Sequence, residues 1–161
     1  MTGPVLRLFE AAGSDSALLG AALRVEEVCA LAYEAAAEDA LAGAERAMAR
    51  RFAEHERQHA AALETMLFAL TVPVREHAGP EDLDALVPAL RDARRREALR
   101  ALADLEGAAI AGHQLIGRRL RALDALRTVA AVMAGGAQHL VVLRDALGGD
   151  HPLTLAFESG S

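Results

Sequence analysis

A chain of 161 residues suits one domain, 1–161, built around one core. Hydrophobic residues make up 53% of it but aromatic ones only 3%, so Ala, Leu and Val must fill the interior, a composition that favours helix over sheet. A formal charge of -6 argues against nucleic-acid binding, the lone Cys29 excludes an internal disulfide or a cysteine zinc cluster, and the absence of a signal-like N-terminus or an 18-residue uncharged apolar run leads us to expect a soluble, cytoplasmic protein with no membrane partner.

Helical periodicity predicts a first helix over about 16–41, with Leu19, Ala22, Glu26, Ala30, Tyr33 and Ala37 on one face. Cys29 lies in this apolar stretch and reads as a small buried hydrophobe. Gly43 breaks the pattern. A second helix over about 44–70 carries Met48, Phe52, Glu56, His59, Leu63 and Met66 at steps of three and four. Residues 71–91 hold Pro73, Gly79, Pro80 and Pro88 and predict a crossover with at most a short helix at 81–86. Arg94, Arg95 and Arg96, interleaved with Asp92 and Glu97, read as a solvated helix start. A third helix over about 92–123 shows Leu99, Leu102, Glu106, Ile110, His113 and Leu120. A fourth over about 124–147 shows Val129, Val132, Gly136, His139 and Leu143, and an irregular tail follows over 148–161. The expected architecture is an all-α four-helix bundle.

The chain also resembles itself. At an offset of 80 positions Glu26 falls on Glu106, His59 on His139, Leu63 on Leu143 and Tyr33 on His113, while Glu56 falls on Gly136. The two halves therefore read as related helical hairpins. Glu26 and His59 are equally far from a turn near Gly43, and Glu106 and His139 from one near Leu123. At about 1.5 Å per residue each pair lies roughly 25 Å from its own turn. A long crossover can bring both pairs to one level, so that four helices converge on a polar layer.

Carboxylates on apolar stripes need cations for company. Glu56 and His59 form a Glu-x-x-His step that presents both side chains on one helical face, where they can grip one ion. Oxygen with imidazole nitrogen suits iron, manganese or zinc, one or two ions per chain.

On these residues the chain resembles the ferritin-like superfamily, the bundles that include rubrerythrins and bacterioferritins. In that superfamily two helices each give a Glu and the other two each give a Glu-x-x-His, which together hold a di-iron or di-manganese centre. The resemblance implies metal ligands at Glu26, Glu56, His59, Glu106 and His139, with the second motif degenerate because Gly136 stands where its acid belongs. It leaves an asymmetric pair, a single metal or a metal-free remnant, and the space opened at Gly135 and Gly136 is free for a substrate, an oxidant or a neighbouring side chain. Tyr33 and His113, two turns beyond Glu26 and Glu106, become outer-layer candidates, with core packing the plainer role for Tyr33. The function implied is oxidase, peroxidase or ferroxidase chemistry with dioxygen or peroxide, in a homodimer.

Two other functions fit the residues. A metal-free bundle whose buried acids and histidines bond one another would serve as a structural or dimerisation scaffold. His55-Glu56-Arg57-Gln58-His59 also spells the H-E-x-x-H of zinc metallopeptidases, in which His55 and His59 bind zinc and Glu56 activates water. The repeat selects His59 and His139 instead, so His55, His77 and His151 are expected to face solvent or loops, and replacing His55 is expected to be nearly silent.

Overall fold

The computed structural model describes residues 4–10, 12–73 and 77–148, and among them all regular structure is helical. The helices are α1 (Pro4–Glu10), α2 (Asp15–Asp39), α3 (Gly43–Ala69), α4 (Pro80–Leu86), α5 (Arg95–Gly117) and α6 (Leu123–Ala146), with a single 3-10 turn at Pro88–Leu90. α2 packs chiefly on α3 and α5 on α6. The two hairpins then close on each other through α2 with α5 and α3 with α6, which is the expected bundle.

Local chemistry sets the helix limits. Ser14 caps α2 by accepting the Ala17 N–H at 3.2 Å. Gly43 turns the chain into α3 with a φ of 54°, a region that glycine enters without strain. The Glu97 carboxylate accepts the Arg94 N–H at 2.9 Å and opens α5. The apolar stripes face inward as their period demands: Leu19, Leu63, Leu99, Leu102 and Leu143 are fully buried, each contributing about 1.5–3 kcal/mol by leaving water. Arg91, Arg94, Arg95, Arg96 and Arg100 are exposed, as a solvated face should be.

Three boundaries differ from expectation. α5 begins at Arg95 because Asp92 takes a left-handed φ of 57° that a helix does not continue through. It stops at Gly117, well short of 123, because long-range partners hold the turn at 118–122. Arg119 donates to the Phe9 carbonyl at 2.9 Å and to that of Ala12, and the Asp15 carboxylate accepts the N–H groups of Arg121 and Ala122, both at 3.0 Å. The third difference is α1, which periodicity did not predict. Its Val5 and Phe9 are buried, and the Phe9 ring occupies the place where Gly112 lacks a side chain, since a Cβ there would meet it at 2.0 Å.

The crossover contains α4 close to where it was expected, and α2 anchors it. Glu27 accepts the Ala78 N–H at 2.8 Å and lies 2.5 Å from His77 Nδ1, while Arg24 pairs with Asp82. α6 is long enough and apolar enough to cross a membrane, with a hydropathy of 1.4 over its best window, and its inner face packs on α5 and α3. Of the expected tail only Gly148 is described. His151, Leu153, Leu155 and Phe157 lie outside the described residues.

Candidate metal centre

Four helices each bring polar groups to one level. Glu26 comes from α2, Glu56 and His59 from α3, Glu106 from α5 and His139 from α6. All but His59 are buried, with Glu56 only 1% exposed. His59 Nδ1 lies 3.1 Å from Glu26 Oε2 and 2.9 Å from Glu56 Oε2. His139 Nδ1 lies 2.7 Å from Glu56 Oε1 and 3.0 Å from Glu106 Oε1. Two groups result, Glu26–Glu56–His59 and Glu56–Glu106–His139, and in each the potential ligand atoms lie within 4.8 Å of one another. Glu56 belongs to both and turns one oxygen to each.

The outer residues repeat the same two-fold relation. Tyr33 on α2 donates its hydroxyl to Glu106 Oε1 on α5 at 2.6 Å. His113 on α5 brings Nε2 to 3.3 Å from Glu26 Oε1 on α2, yet this nitrogen makes no hydrogen bond, the only such case among the buried side-chain polar atoms of the described residues. A buried nitrogen without a partner is costly. Cys29, one turn from both Glu26 and Tyr33, is buried as expected.

The two glycines at the degenerate motif have specific neighbours. A Cβ on Gly135 would meet the His59 ring at 2.4 Å, and one on Gly136 would meet Glu106 Oε2 at 2.9 Å. The space they open is therefore filled by side chains of the layer itself.

Without a cation, protons balance the layer. Burial would raise Glu56, but hydrogen bonds from His139 and His59 hold it well below the usual carboxylate range. Burial also works against charge on His59 and His139, yet their carboxylate partners raise them to about 10 and about 9. Burial lifts Glu106 to about 7 against the pull of His139, and lifts Glu26 well above its ordinary value despite His59. Burial, with a smaller push from the charge on His59 and against the pull of Glu56, lowers His113 to about 4, so it is neutral. An anion at Glu56 with imidazolium neighbours is a site where protons stand in for a positive ion.

Sequence reasoning missed what surrounds His139. His55 was expected to face solvent, but its Nδ1 lies 3.1 Å from His139 Nε2. Phe52 stacks on the His139 ring with centroids 4.0 Å apart and planes 22° from parallel. Phe52, His55 and His59 do step by three and four, which is the signal that could have placed His55 at the edge of the inner face. A groove of about 520 Å³ between α3 and α6, lined by Met48, Arg51, Phe52, His55, His139 and Val142 among others, leads from the surface to these rings. His77 is exposed, as expected.

A bundle of two helical hairpins with a buried carboxylate and histidine layer defines a class of protein. Residues 14–149 match the ferritin-like domain family, and the chain belongs to that family. It is also similar in fold to a dodecameric thioferritin, the bacterioferritin-related protein from Bacteroides fragilis, with a TM-score of 0.70 and 21% identity over 89% of this chain and 92% of that one. No curated protein matches the chain.

Proposed function

We propose that this protein binds metal through Glu26, Glu56, His59, Glu106 and His139, holding an asymmetric pair of iron or manganese ions for oxidase, peroxidase or ferroxidase chemistry with dioxygen or peroxide. The observation that carries this reading is the position of Glu56, shared by two three-residue groups that each could hold an ion. Donor chemistry supports it, since carboxylate with imidazole suits these metals, and so does the unpartnered His113 nitrogen facing Glu26, a polar group of the layer that no protein partner satisfies. When bound, such a pair supplies the electrons that reduce dioxygen or peroxide. The chain's own contribution is to orient donors and exclude water. Tyr33 holds Glu106, Glu56 reaches both groups, and the buried layer keeps each carboxylate strongly interacting. The proposed assembly is a cytoplasmic homodimer or larger oligomer, supported by the dodecameric state of the Bacteroides fragilis protein.

A metal-free scaffold is the second reading, favoured by one observation: the acids and histidines already hydrogen-bond one another. A zinc peptidase finds less support, because His55 turns to His139 and belongs to neither group.

The test is to purify the protein without chelators or a histidine tag, count metals per chain by elemental analysis, and add ferrous iron in air. About two ions per chain supports the proposal. No uptake under any loading sinks it in favour of the scaffold, and one zinc that survives both Glu26→Ala and Glu106→Ala favours the peptidase.

A further inference from the structure

The two histidines of the layer are held in different ways. His59 lies against the backbone of Gly135, so its ring is placed by the close approach of α6. His139 instead has two neighbours from α3. Phe52 stacks on its ring, and His55 meets its outward nitrogen, Nε2, with Nδ1 at 3.1 Å and ring planes 20° apart. His139 Nδ1 points the opposite way, to Glu56 and Glu106. Facing two carboxylates, Nδ1 carries a proton in the metal-free imidazolium and would offer its lone pair only to an ion; in both states Nε2 carries the other proton, which needs an acceptor. His55 Nδ1 is in place to accept it. Because His55 immediately precedes Glu56 on α3, the same helix supplies the carboxylate on one side of His139 and the acceptor on the other.

We infer that His55 is the positioning residue of His139, accepting a hydrogen bond from Nε2–H and so turning Nδ1 toward Glu56 and Glu106. As a statement about a metal ligand this rests on the metal-binding function proposed above; as a statement about the orientation of His139 it stands alone. The chain thereby gives an H-E-x-x-H sequence a use other than chelation by both histidines. It also assigns His55 the part of the partner that ligating histidines generally require, whose loss typically costs about 10- to 100-fold in metal affinity.

Two variants separate the hydrogen bond from the ring stacking. His55→Phe keeps a ring and removes the acceptor, whereas His55→Asn removes the ring and puts an amide oxygen near the position of Nδ1. Each is compared with the wild-type protein by a long-range proton–nitrogen spectrum of the metal-free form and by cobalt(II) titration followed in the visible, with circular dichroism to verify the helices. The expected result is that His55→Phe shifts the His139 Nε2 resonance and weakens cobalt binding by about 10-fold or more, and that His55→Asn restores most of both. A His55→Phe protein with unchanged nitrogen shifts and cobalt affinity overturns the inference while leaving the metal-binding function intact. If the wild-type protein takes up no cobalt, that function fails, and the nitrogen spectrum alone decides: a His139 resonance that moves in His55→Phe and returns in His55→Asn upholds the inference, and one that stays put overturns it.

Discussion

The two halves of the polar layer differ in a way their matching sequence pattern conceals. On the Glu26–Glu56–His59 side the Glu-x-x-His step is intact, and backbone packing at Gly135 places its histidine. On the Glu56–Glu106–His139 side the second acid is gone, yet a hydroxyl from Tyr33, a stacked Phe52 and the His55 nitrogen surround the remaining donors. The sequence shows a missing carboxylate; the structure shows that its place is taken by Glu106, whose Oε2 a Cβ on Gly136 would meet at 2.9 Å. A lost ligand and a repacked site look alike in a sequence. They differ in what the surrounding side chains do.

Removing the residue common to both halves has the largest expected effect. Glu56→Ala should abolish binding of both ions, whereas Glu26→Ala and Glu106→Ala should each spare one, as elemental analysis would report. The same change leaves two imidazoles without their shared anion, a loss of about 3–5 kcal/mol for a broken buried pair. Helix content should persist while the melting temperature falls. Metal retained by Glu56→Ala would end the case for a shared ligand.

Much of this could be read from the chain because helices repeat. Every residue assigned to an inner face of the first helix is buried, and Glu26, Glu56, Glu106 and His139 lie where their steps placed them. What could not be read depends on distant partners. The turn after Gly117 is held by Asp15 and by carbonyls near the N-terminus, α1 has only Val5 and Phe9 buried over seven residues, and the neighbour of His55 is 84 positions away. A local period carries no information about such contacts.

The glycines sharpen the comparison at intermediate scale. Gly135→Ala drives a methyl into the His59 ring, and Gly136→Ala presses only on the flexible end of Glu106. The first should lose one ion and the second should merely weaken one, in titrations of the metal-free proteins. Equal losses would mean that the halves are not placed independently. Ordinarily either change would stabilise a helix by about 0.5–1 kcal/mol, so a lower melting temperature for Gly135→Ala would itself report the clash.

A smaller, graded effect concerns pH. His59 and His139, raised from 6.5 to about 10 and about 9, contribute stability that is whole below pH 6.5 and lost as pH climbs through 9 to 10. Glu106, raised from 4.5 to about 7, acts in the same direction between those values. Melting of the chelator-treated protein should therefore occur several degrees lower at pH 10 than at pH 7, given about 2–4 °C per kcal/mol at this size. Metal affinity should rise over the same range, because the ions displace these protons. A metal-free protein that gains stability toward pH 10 would contradict the proton-balanced layer.

The docking of α1 has a consequence for how the protein is made. Phe9 rests on Gly112, touches the His113 ring edge-on, and its carbonyl is held by Arg119, 110 positions downstream. A ribosome releases the N-terminal helix first, and neither its seat nor its clasp exists until α5 and the turn beyond it have emerged. Until residues through Arg119 have emerged, Phe9 lacks its cover from α5, and the end of the layer around His113 stays open.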